Sequence, residues 1–174
     1  MAFSCLIFAL LIFTSCDKGE LKEPLEYEGP LREVEKVELY FSENQRVKVK
    51  MVADLLYEYQ NGDQEFPKGI YVEFFDETGK LESTLRANHA YYFKTEKQWR
   101  GRGKVEVKNI AKSEQLNTEE LFWKPDEEKI HTDKFVTIRQ EEDVLYGQGL
   151  EAKQDMSDYT ILKPEGEFAV KEEE

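Results

Sequence analysis

The stretch Gly103-Lys104-Val105-Glu106-Val107-Lys108 alternates polar and apolar residues, and this period of two decides the fold class. Successive side chains of a β-strand point to opposite faces of a sheet, so the stretch predicts a half-buried strand. Residues 46–51 and 70–75 alternate in the same way. Residues 113–123 come closest to an amphipathic helix, but Thr118 and the flanking alternation weaken that interpretation. Short apolar runs predict further strands at residues 130–132, 135–139, 144–146 and 159–162.

A second pattern recurs four times. Its template is a large aliphatic residue, a small residue two positions on, and Leu or Ala three positions further. The copies are Met51-Val-Ala53-Asp-Leu-Leu56, Leu85-Arg-Ala87-Asn-His-Ala90, Leu116-Asn-Thr118-Glu-Glu-Leu121 and Leu145-Tyr-Gly147-Gln-Gly-Leu150. A repeat of about thirty residues is typical of stacked units that cannot bury their apolar faces alone. The step of two and then three predicts a bulge or corner within each strand, although so loose a template also recurs by chance.

The composition excludes several classes of protein. The chain has 174 residues with 37 Asp and Glu against 24 Lys and Arg, a net charge of −13. Such an acidic chain makes a poor nucleic-acid binder, because neutralisation of phosphates by Lys and Arg supplies most of that affinity. Two cysteines exclude a disulfide scaffold and a Cys-rich zinc site. The 35% of charged residues indicate much solvated surface, as in a slender all-β domain.

The amino terminus is expected to be a targeting segment. Residues 1–13 carry no charge and form an apolar run shorter than the roughly 20 residues of a membrane-spanning helix. We interpret them as the core of a secretory signal, rather than as an ordinary core helix. The next residues, Phe13-Thr14-Ser15-Cys16, resemble a bacterial lipobox, so Cys16 is predicted to be lipidated and to anchor the chain in a membrane. The predicted organisation is a lipoprotein signal peptide at 1–15, a lipidated linker at 16–32 and one β-domain at 33–170.

The order and spacing of several motifs resemble the LptC family. They are Ala87-Asn-His-Ala90-Tyr-Tyr92, Trp99-Arg-Gly-Arg-Gly-Lys-Val105, Leu116-Asn-Thr-Glu-Glu-Leu121-Phe-Trp123 and Gly147-Gln-Gly-Leu150-Glu-Ala152. That family supplies the anchored periplasmic component of the lipopolysaccharide export bridge. The resemblance covers residues 47–161, and Phe66-Pro-Lys-Gly-Ile70 is similar to the Bacteroidetes-type version. Enterobacterial members carry a transmembrane helix where this chain has a lipobox. Asp17 resembles an inner-membrane retention signal.

The resemblance implies an open, twisted β-jellyroll of stacked antiparallel strands whose two sheets face each other. Such a domain would accept lipopolysaccharide from the subunits of the inner-membrane ABC transporter. It would pass the lipid to a soluble periplasmic bridge protein of the LptA type. The family pairs its edge strands with neighbours by strand addition. We therefore expect residues 34–40 to meet the transporter and residues 159–162 to meet the bridge protein.

The resemblance also implies a groove that binds acyl chains. Apolar inward positions are its predicted lining, and ordinary core is the other interpretation of every one of them. Small residues at the second template position either leave room for chains or let the sheets approach, and the sequence does not separate the two. The predicted groove residues are Val49, Met51, Ala53, Val72, Phe74, Leu85, Ala87, Ala90, Trp99, Val105, Val107, Leu116, Leu121, Trp123, Val136, Ile138, Leu145, Gly147 and Leu150.

One segment is basic within this acidic chain. Residues 94–108 hold six basic and two acidic residues. Arg100, Arg102 and Lys104 occupy alternate positions and are expected to share one strand face. There they form either a cation row that meets lipid phosphates or a solvated strand face.

The sequence carries no recognisable catalytic motif. His89 and His131 have no nucleophile motif beside them, and no phosphate loop or metal-spaced cluster is found. We expect no catalytic residue, no cofactor and no metal. Two other classes remain open: a structural or adhesive β-repeat envelope lipoprotein with a sealed core, and an envelope carbohydrate enzyme with two opposed carboxylates.

Overall fold

The computed structural model describes Tyr27, residues 29–140 and residues 143–166. The predictions for residues 1–15, Cys16 and Asp17 therefore lie outside the described residues. The described part is all β, with one short 3-10 turn at Pro125–Glu127, and the predicted fold class is confirmed. Its strands are β1 (Arg32–Glu43), β2 (Arg46–Glu58), β3 (Gln64–Phe66), β4 (Ile70–Phe75), β5 (Leu81–Ala87), β6 (His89–Phe93), β7 (Gln98–Asn109), β8 (Glu114–Lys124), β9 (Lys129–Gln140), β10 (Asp143–Lys153) and β11 (Tyr159–Glu165).

The strands form one antiparallel sheet that is folded into two layers. The order is β11-β10-β9-β8-β7-β5-β4-β2-β3-β6; β1 pairs with β2, and β6 also pairs with β7. Strand β7 pairs with β6 through residues 98–102 and with β5 through residues 106–109. Strand β2 likewise pairs with β4 in its first half and with β3 at its end. The long strands therefore cross from layer I, which contains β4 and β5, to layer II, which contains β3 and β6.

The crossings coincide with bulges that lie side by side on neighbouring strands. Register shifts occur between Arg102 and Val105 in β7, between Thr118 and Phe122 in β8, and between residues 148 and 150 in β10. Strands that switch layers make their corners with such bulges. Gly103 has a φ of 72°, a left-handed conformation that glycine adopts without a steric penalty. We call this row of bulges the line of bends.

The predicted step of two and then three is found where β8 bends. Leu116, Thr118 and Leu121 are all buried, although regular alternation would turn Leu121 outward. The irregularity keeps Leu121 inward, but the extra residue lies in the neighbouring strands β7 and β9 rather than in β8 itself. The sequence divided residues 130–139 into two strands, but the structure has one strand, β9. Its exposed middle, Asp133, Lys134 and Phe135, is the bend itself.

The core lies between the two layers. Met51, Val72 and Val107 of layer I are fully buried, as are Leu121 and Ile130 of layer II. The outer faces carry the charged residues of the alternating pattern, such as Lys48, Lys50 and Glu106. The sheet ends in two edge strands, since β1 pairs only with β2 and β11 only with β10.

Candidate functional site

The structure gathers the predicted groove residues into one interior. Ala53 and Leu145 are half-buried and pack against the core, and Gly147 is buried in β10. All the others belong to a single buried cluster: Val49, Met51, Val72, Phe74, Leu85, Ala87, Ala90, Trp99, Val105, Val107, Leu116, Leu121, Trp123, Val136, Ile138 and Leu150.

Aromatic side chains fill this interior. Trp99 packs against Phe66, with ring centroids 5.5 Å apart, and against Tyr92 at 5.0 Å. Trp123 lies 6.0 Å from Trp99 and meets the edge of Phe74 at 5.2 Å. Phe74 belongs to layer I and the other four rings to layer II, so the two layers are in direct contact. An acyl chain can occupy this space only if these side chains or the layers move apart.

The two layers meet again along the side opposite the line of bends, which we call the seam. Layer I ends there in the turns β1–β2, β4–β5 and β7–β8. Layer II ends in the turns β2–β3, β6–β7 and β8–β9 and in the loop at residues 154–158 between β10 and β11. Any separation of the layers along this side would have to break the contacts between these two rows of turns.

The loop at residues 154–158 is hydrogen-bonded to layer I along one part of the seam. Asn109, at the end of β7, is buried and donates from Nδ2 to the backbone oxygen of Asp155 at 2.7 Å. Lys112 donates from Nζ to the backbone oxygen of Ser157 at 2.9 Å. Met156 inserts its fully buried side chain into the core between these two bonds. We call these contacts the latch.

A third contact extends the latch towards the carboxyl-terminal edge. The amide of Gln140, at the end of β9, donates to the hydroxyl of Tyr159, the first residue of β11. Burial, followed by the charge of Glu114, raises the pKa of Tyr159 above its ordinary value, so the hydroxyl stays protonated at neutral pH. The latch thus spans the seam from β7 to β11.

The other part of the seam contains a cleft of about 330 Å³. Its apolar floor is formed by Val49, Phe74 and Trp123, which also belong to the core cluster. Its rim comes from the turns of both layers and is mostly acidic. The remaining lining residues are Phe41, Ser42, Glu43, Lys48, Phe75, Asp76, Glu77, Glu82, Pro125, Glu128 and Gln154.

A residue larger than glycine does not fit at position 147, because strand β11 approaches it closely. A Cβ atom added there would lie 2.3 Å from the backbone oxygen of Lys163 and 2.5 Å from Cγ2 of Ile161, both in β11. The space beside Gly147 is therefore occupied by protein. This approach is between neighbouring strands of one sheet and not between the two layers.

The predicted cations converge on a carboxylate that the sequence analysis did not single out. Glu120 is 7% exposed. It accepts a hydrogen bond from Nε of Arg100 at 2.7 Å, and Nε of Arg102 lies 3.4 Å from the same oxygen. Nζ of Lys134 lies 3.9 Å from the other oxygen. The group is thus an ion-pair cluster on the outer side of layer II beside the line of bends.

Lys104 is exposed, like Arg102, and follows it across the bulge in β7. The bulge between Arg102 and Val105 inserts an extra residue, and Lys104 has a φ of 48°. It lines a cavity of about 690 Å³ along the outer side of the bends, together with Arg86 and Phe135. Buried and outward positions alternate along β7 from Trp99 to Asn109, so the three cations lie on the outer face of this strand.

The two histidines lie on the outer face of layer II. Nε2 of His89 is 2.9 Å from Oε1 of Glu65, whose other oxygen accepts the hydroxyl of Tyr59 and raises the pKa of that tyrosine to about 12. His131 stacks on Phe122 at 5.2 Å, and burial, followed by the charge of Lys124, lowers its pKa.

Two features are absent from the described residues. No group of three His, Cys, Asp or Glu side chains is placed to hold a metal ion. Within the same residues, no helix has the length and apolarity needed to cross a membrane.

Sequence reasoning missed Asn109, Glu120 and Met156. Asp155-Met156-Ser157-Asp158 has a turn composition, and the N–H of Ser157 does bond to Oδ1 of Asp155 at 2.9 Å. That signal locates a turn, but it does not say which strand the turn contacts. Glu120 is one of 37 acidic residues, so only its burial distinguishes it.

Comparison with known proteins identifies a family. The family model described as "Lipopolysaccharide-assembly, LptC-related" matches residues 32–164. The match begins with the first residue of β1 and ends within β11, so it covers the whole folded sheet. No curated protein matches the chain.

Proposed function

This chain belongs to the LptC-related family of lipopolysaccharide-assembly proteins, and on that premise we propose that it carries lipopolysaccharide between its neighbours in the export bridge. Membership of the family implies a role in lipopolysaccharide transport on the periplasmic side of the cell envelope. The finer proposal is that the domain accepts the lipid from the inner-membrane ABC transporter and passes it to the next β-jellyroll. Acyl chains would travel between the two layers while the phosphosugar stays in water.

The observation that carries the proposal is the single apolar interior shared by two layers of one sheet. Side chains of Met51, Val72 and Phe74 in layer I face Leu121, Trp123 and Ile130 in layer II. Each buried methylene of an acyl chain contributes about 0.8 kcal/mol, so a chain can replace the contacts between the layers without specific hydrogen bonds. The net charge of −13 repels an anionic lipid, so burial of acyl chains has to supply the affinity.

The edge strands support a hand-over between neighbouring proteins. Strand β1 is exposed at nearly all its residues, including Val34, Tyr40 and Phe41, and its outer backbone edge has no partner strand within the described residues. Strand β11 is similarly exposed, for example at Leu162. We propose that β1 pairs with the periplasmic part of the transporter and β11 with a soluble bridge protein of the LptA type.

The anchor belongs to the same proposal. Lipidation of Cys16 would hold the domain at a membrane surface, and several acyl chains on one residue make such an anchor stable. Asp17 favours the inner membrane as its location. Residues between Cys16 and β1 would span the distance from the membrane to the transporter.

A phosphate contact is proposed for the basic cluster. Arg102 and Lys104 are exposed, whereas Arg100 is half-buried against Glu120. The two exposed cations are therefore the better placed of the three to meet a lipid phosphate at the line of bends. Arg100 would act mainly by holding Glu120.

Photocrosslinking in cells tests the proposal. A photoreactive amino acid at Val105 or Trp123, both buried between the layers, is expected to give adducts with lipopolysaccharide. The same amino acid at Tyr71, an exposed residue of β4, serves as the control and is expected to give none. Absence of adducts at every inward position would contradict transport through this interior.

A structural or adhesive envelope lipoprotein is the second candidate. The closed interior favours it, because Trp99, Trp123 and Phe74 are each at most 5% exposed. That function needs the layers to stay together, so the inward photoreactive positions would crosslink only to protein.

A further inference from the structure

The seam is joined unequally along its length. Between β7 and β11 the latch ties the layers through Asn109, Lys112 and Gln140. Beside β1, β2 and β4, the described residues form no hydrogen bond or ion pair that crosses from one layer to the other. There the layers touch through the rings of Phe74 and Trp123. At this end of the seam, an apolar chain could therefore replace the contacts between the layers without breaking a hydrogen bond.

The cleft described above lies at this end and leads into the core. Val49, Phe74 and Trp123 form its floor and are at most 8% exposed, so the floor is the outermost part of the interior. Phe41 extends the apolar surface outward, since it lines the cleft and is 45% exposed. An alkyl chain lying on Phe41 would reach the contact between Phe74 and Trp123 without crossing a hydrogen-bonded part of the seam.

The charge of the rim selects which part of an amphiphile can enter. Glu43, Glu77, Glu82 and Glu128 line the cleft, and Lys48, the single base among the lining residues, pairs with Glu77 at 3.1 Å. Burial, and then the charges of Asp155 and Asp76, raise the pKa of Glu82. An anionic headgroup is repelled from this rim, whereas an uncharged alkyl chain is not. A lipid would thus enter tail first, with its headgroup left outside.

We propose that this cleft is the port through which an acyl chain enters the interior from the side. The port is bounded by the β1–β2 turn at Ser42 and Glu43, the β4–β5 turn at Glu77, and Trp123. The latch keeps the rest of the seam closed while the chain enters. This inference rests on the proposed function, because it names the place where that lipid would be taken up.

The two tryptophans of the chain allow a direct test. Trp99→Phe leaves Trp123 at the port as the only tryptophan, and Trp123→Phe leaves Trp99, which lies deeper in layer II. The probe is a short-chain phosphatidylcholine with bromine on its acyl chains, because bromine quenches tryptophan fluorescence on contact. Trp123 is expected to be quenched at a lower lipid concentration than Trp99. Quenching of both at the same concentration, or of Trp99 first, would overturn the port.

A blocking variant keeps the test independent of the tryptophan substitutions. Ser42 lines the cleft and is exposed, so Ser42→Phe narrows the port with little strain on the fold. We expect this variant to need about tenfold more lipid for the same quenching of Trp123, which is equivalent to about 1.4 kcal/mol. The matched control is Glu96→Phe, which adds the same ring to an exposed turn of layer II. Unchanged quenching in Ser42→Phe would overturn the port.

Selectivity for the headgroup gives a second test. Dodecyl maltoside is expected to bind more tightly than dodecyl sulfate, although both have the same alkyl chain. The double variant Glu77→Gln, Glu82→Gln removes two rim charges and should tighten binding of dodecyl sulfate while leaving dodecyl maltoside unchanged. Equal effects on both detergents would contradict a charged rim at the site of entrance.

Different experimental results would contradict the port and the proposed function. Lipopolysaccharide adducts at Val105 that persist in Ser42→Phe would support transport and overturn the port. Quenching of Trp123 that Ser42→Phe weakens, in a protein with no lipopolysaccharide adducts in cells, would retain the port as an amphiphile site and overturn the transport proposal.

Discussion

The ring of Phe74 in layer I meets Trp123 of layer II edge to face, with centroids 5.2 Å apart and an interplanar angle of 89°. This is the geometry that aromatic pairs prefer, because the positive edge of one ring faces the negative face of the other. The pair lies where the latch does not reach. It therefore holds the layers together at this end of the seam by packing alone.

Phe74→Ala removes this packing. Phe74 is 2% exposed, and truncation of a buried Phe to Ala lowers the free energy of unfolding by about 3–5 kcal/mol. Tyr71→Ala, on the exposed face of the same strand, is the control and should change it by at most about 0.5 kcal/mol. Urea unfolding followed by circular dichroism measures both. Equal losses in the two variants would mean that Phe74 does not join the layers.

Asn109→Asp is expected to release the latch. The carboxylate still accepts the hydrogen bond from the N–H of Lys112, but it no longer donates to Asp155 and instead repels its carbonyl oxygen. Loss of a buried hydrogen bond lowers stability by about 1–3 kcal/mol. Acrylamide should also quench Trp123 more strongly in the Trp99→Phe background. Lys108→Gln removes only an ion pair with Glu106 of the same strand, so unchanged quenching is expected there.

Glu120→Gln separates the role of the carboxylate from that of the cations around it. Arg100 loses its charged acceptor at 2.7 Å, which should lower the free energy of unfolding by about 1–3 kcal/mol. Inorganic phosphate should then restore part of the loss by binding to the released cations, and raise the melting temperature of the variant more than that of the wild type. Glu119→Gln is the exposed control on the same strand. An equal response of both variants to phosphate would contradict an anion site.

His131 is expected to make stability depend on pH. Its pKa is lowered in the folded protein, first by burial and then by Lys124, so the unfolded chain binds this proton more tightly. Stability contributed by neutral His131 is complete above the ordinary pKa of about 6.5 and is lost as the pH falls towards the lowered value. His131→Gln should therefore lose less stability than the wild type between about pH 7.5 and pH 5.5. Parallel losses measured by urea unfolding would contradict this prediction.

Cys16→Ser tests the anchor. Without the thiol no acyl chain can be attached, so the protein should move from the membrane to the soluble periplasmic fraction. Cys5→Ser is a matched control, because Cys5 would be removed with the signal peptide and the anchor would remain. Separation of inner and outer membranes locates the wild-type protein. Membrane attachment that survives Cys16→Ser would overturn lipidation at this residue.

The sequence predicted the strands well because their pattern is set locally. Alternation of Val105, Glu106 and Val107 follows from the period of a strand, whatever the strand packs against. The template Leu116, Thr118 and Leu121 located a bend for a related reason, since a bulge changes which side chains point inward. What these patterns predict is the direction of each side chain.

The site was less predictable because it depends on contacts between distant residues. Glu120 pairs with Arg100 and Arg102 across β7 and β8, and no local pattern distinguishes it from the exposed Glu119 beside it. Likewise Asn109 and Asp155 are 46 residues apart, so only the fold brings the latch together. The closed interior was also outside the reach of the sequence, because the same apolar residues would line an open groove.

Strands β1 and β11 each run through both layers. Strand β1 pairs with the layer II end of β2 at Arg32 and with its layer I end at Glu43, and β11 follows β10 in the same way from Tyr159 to Glu165. A neighbouring jellyroll that added a strand along the whole of either edge would be fixed to both layers at once. The angle between the layers of one protein would then set the angle in the next. Opening of the interior would become a property of the whole series of connected domains rather than of each domain separately.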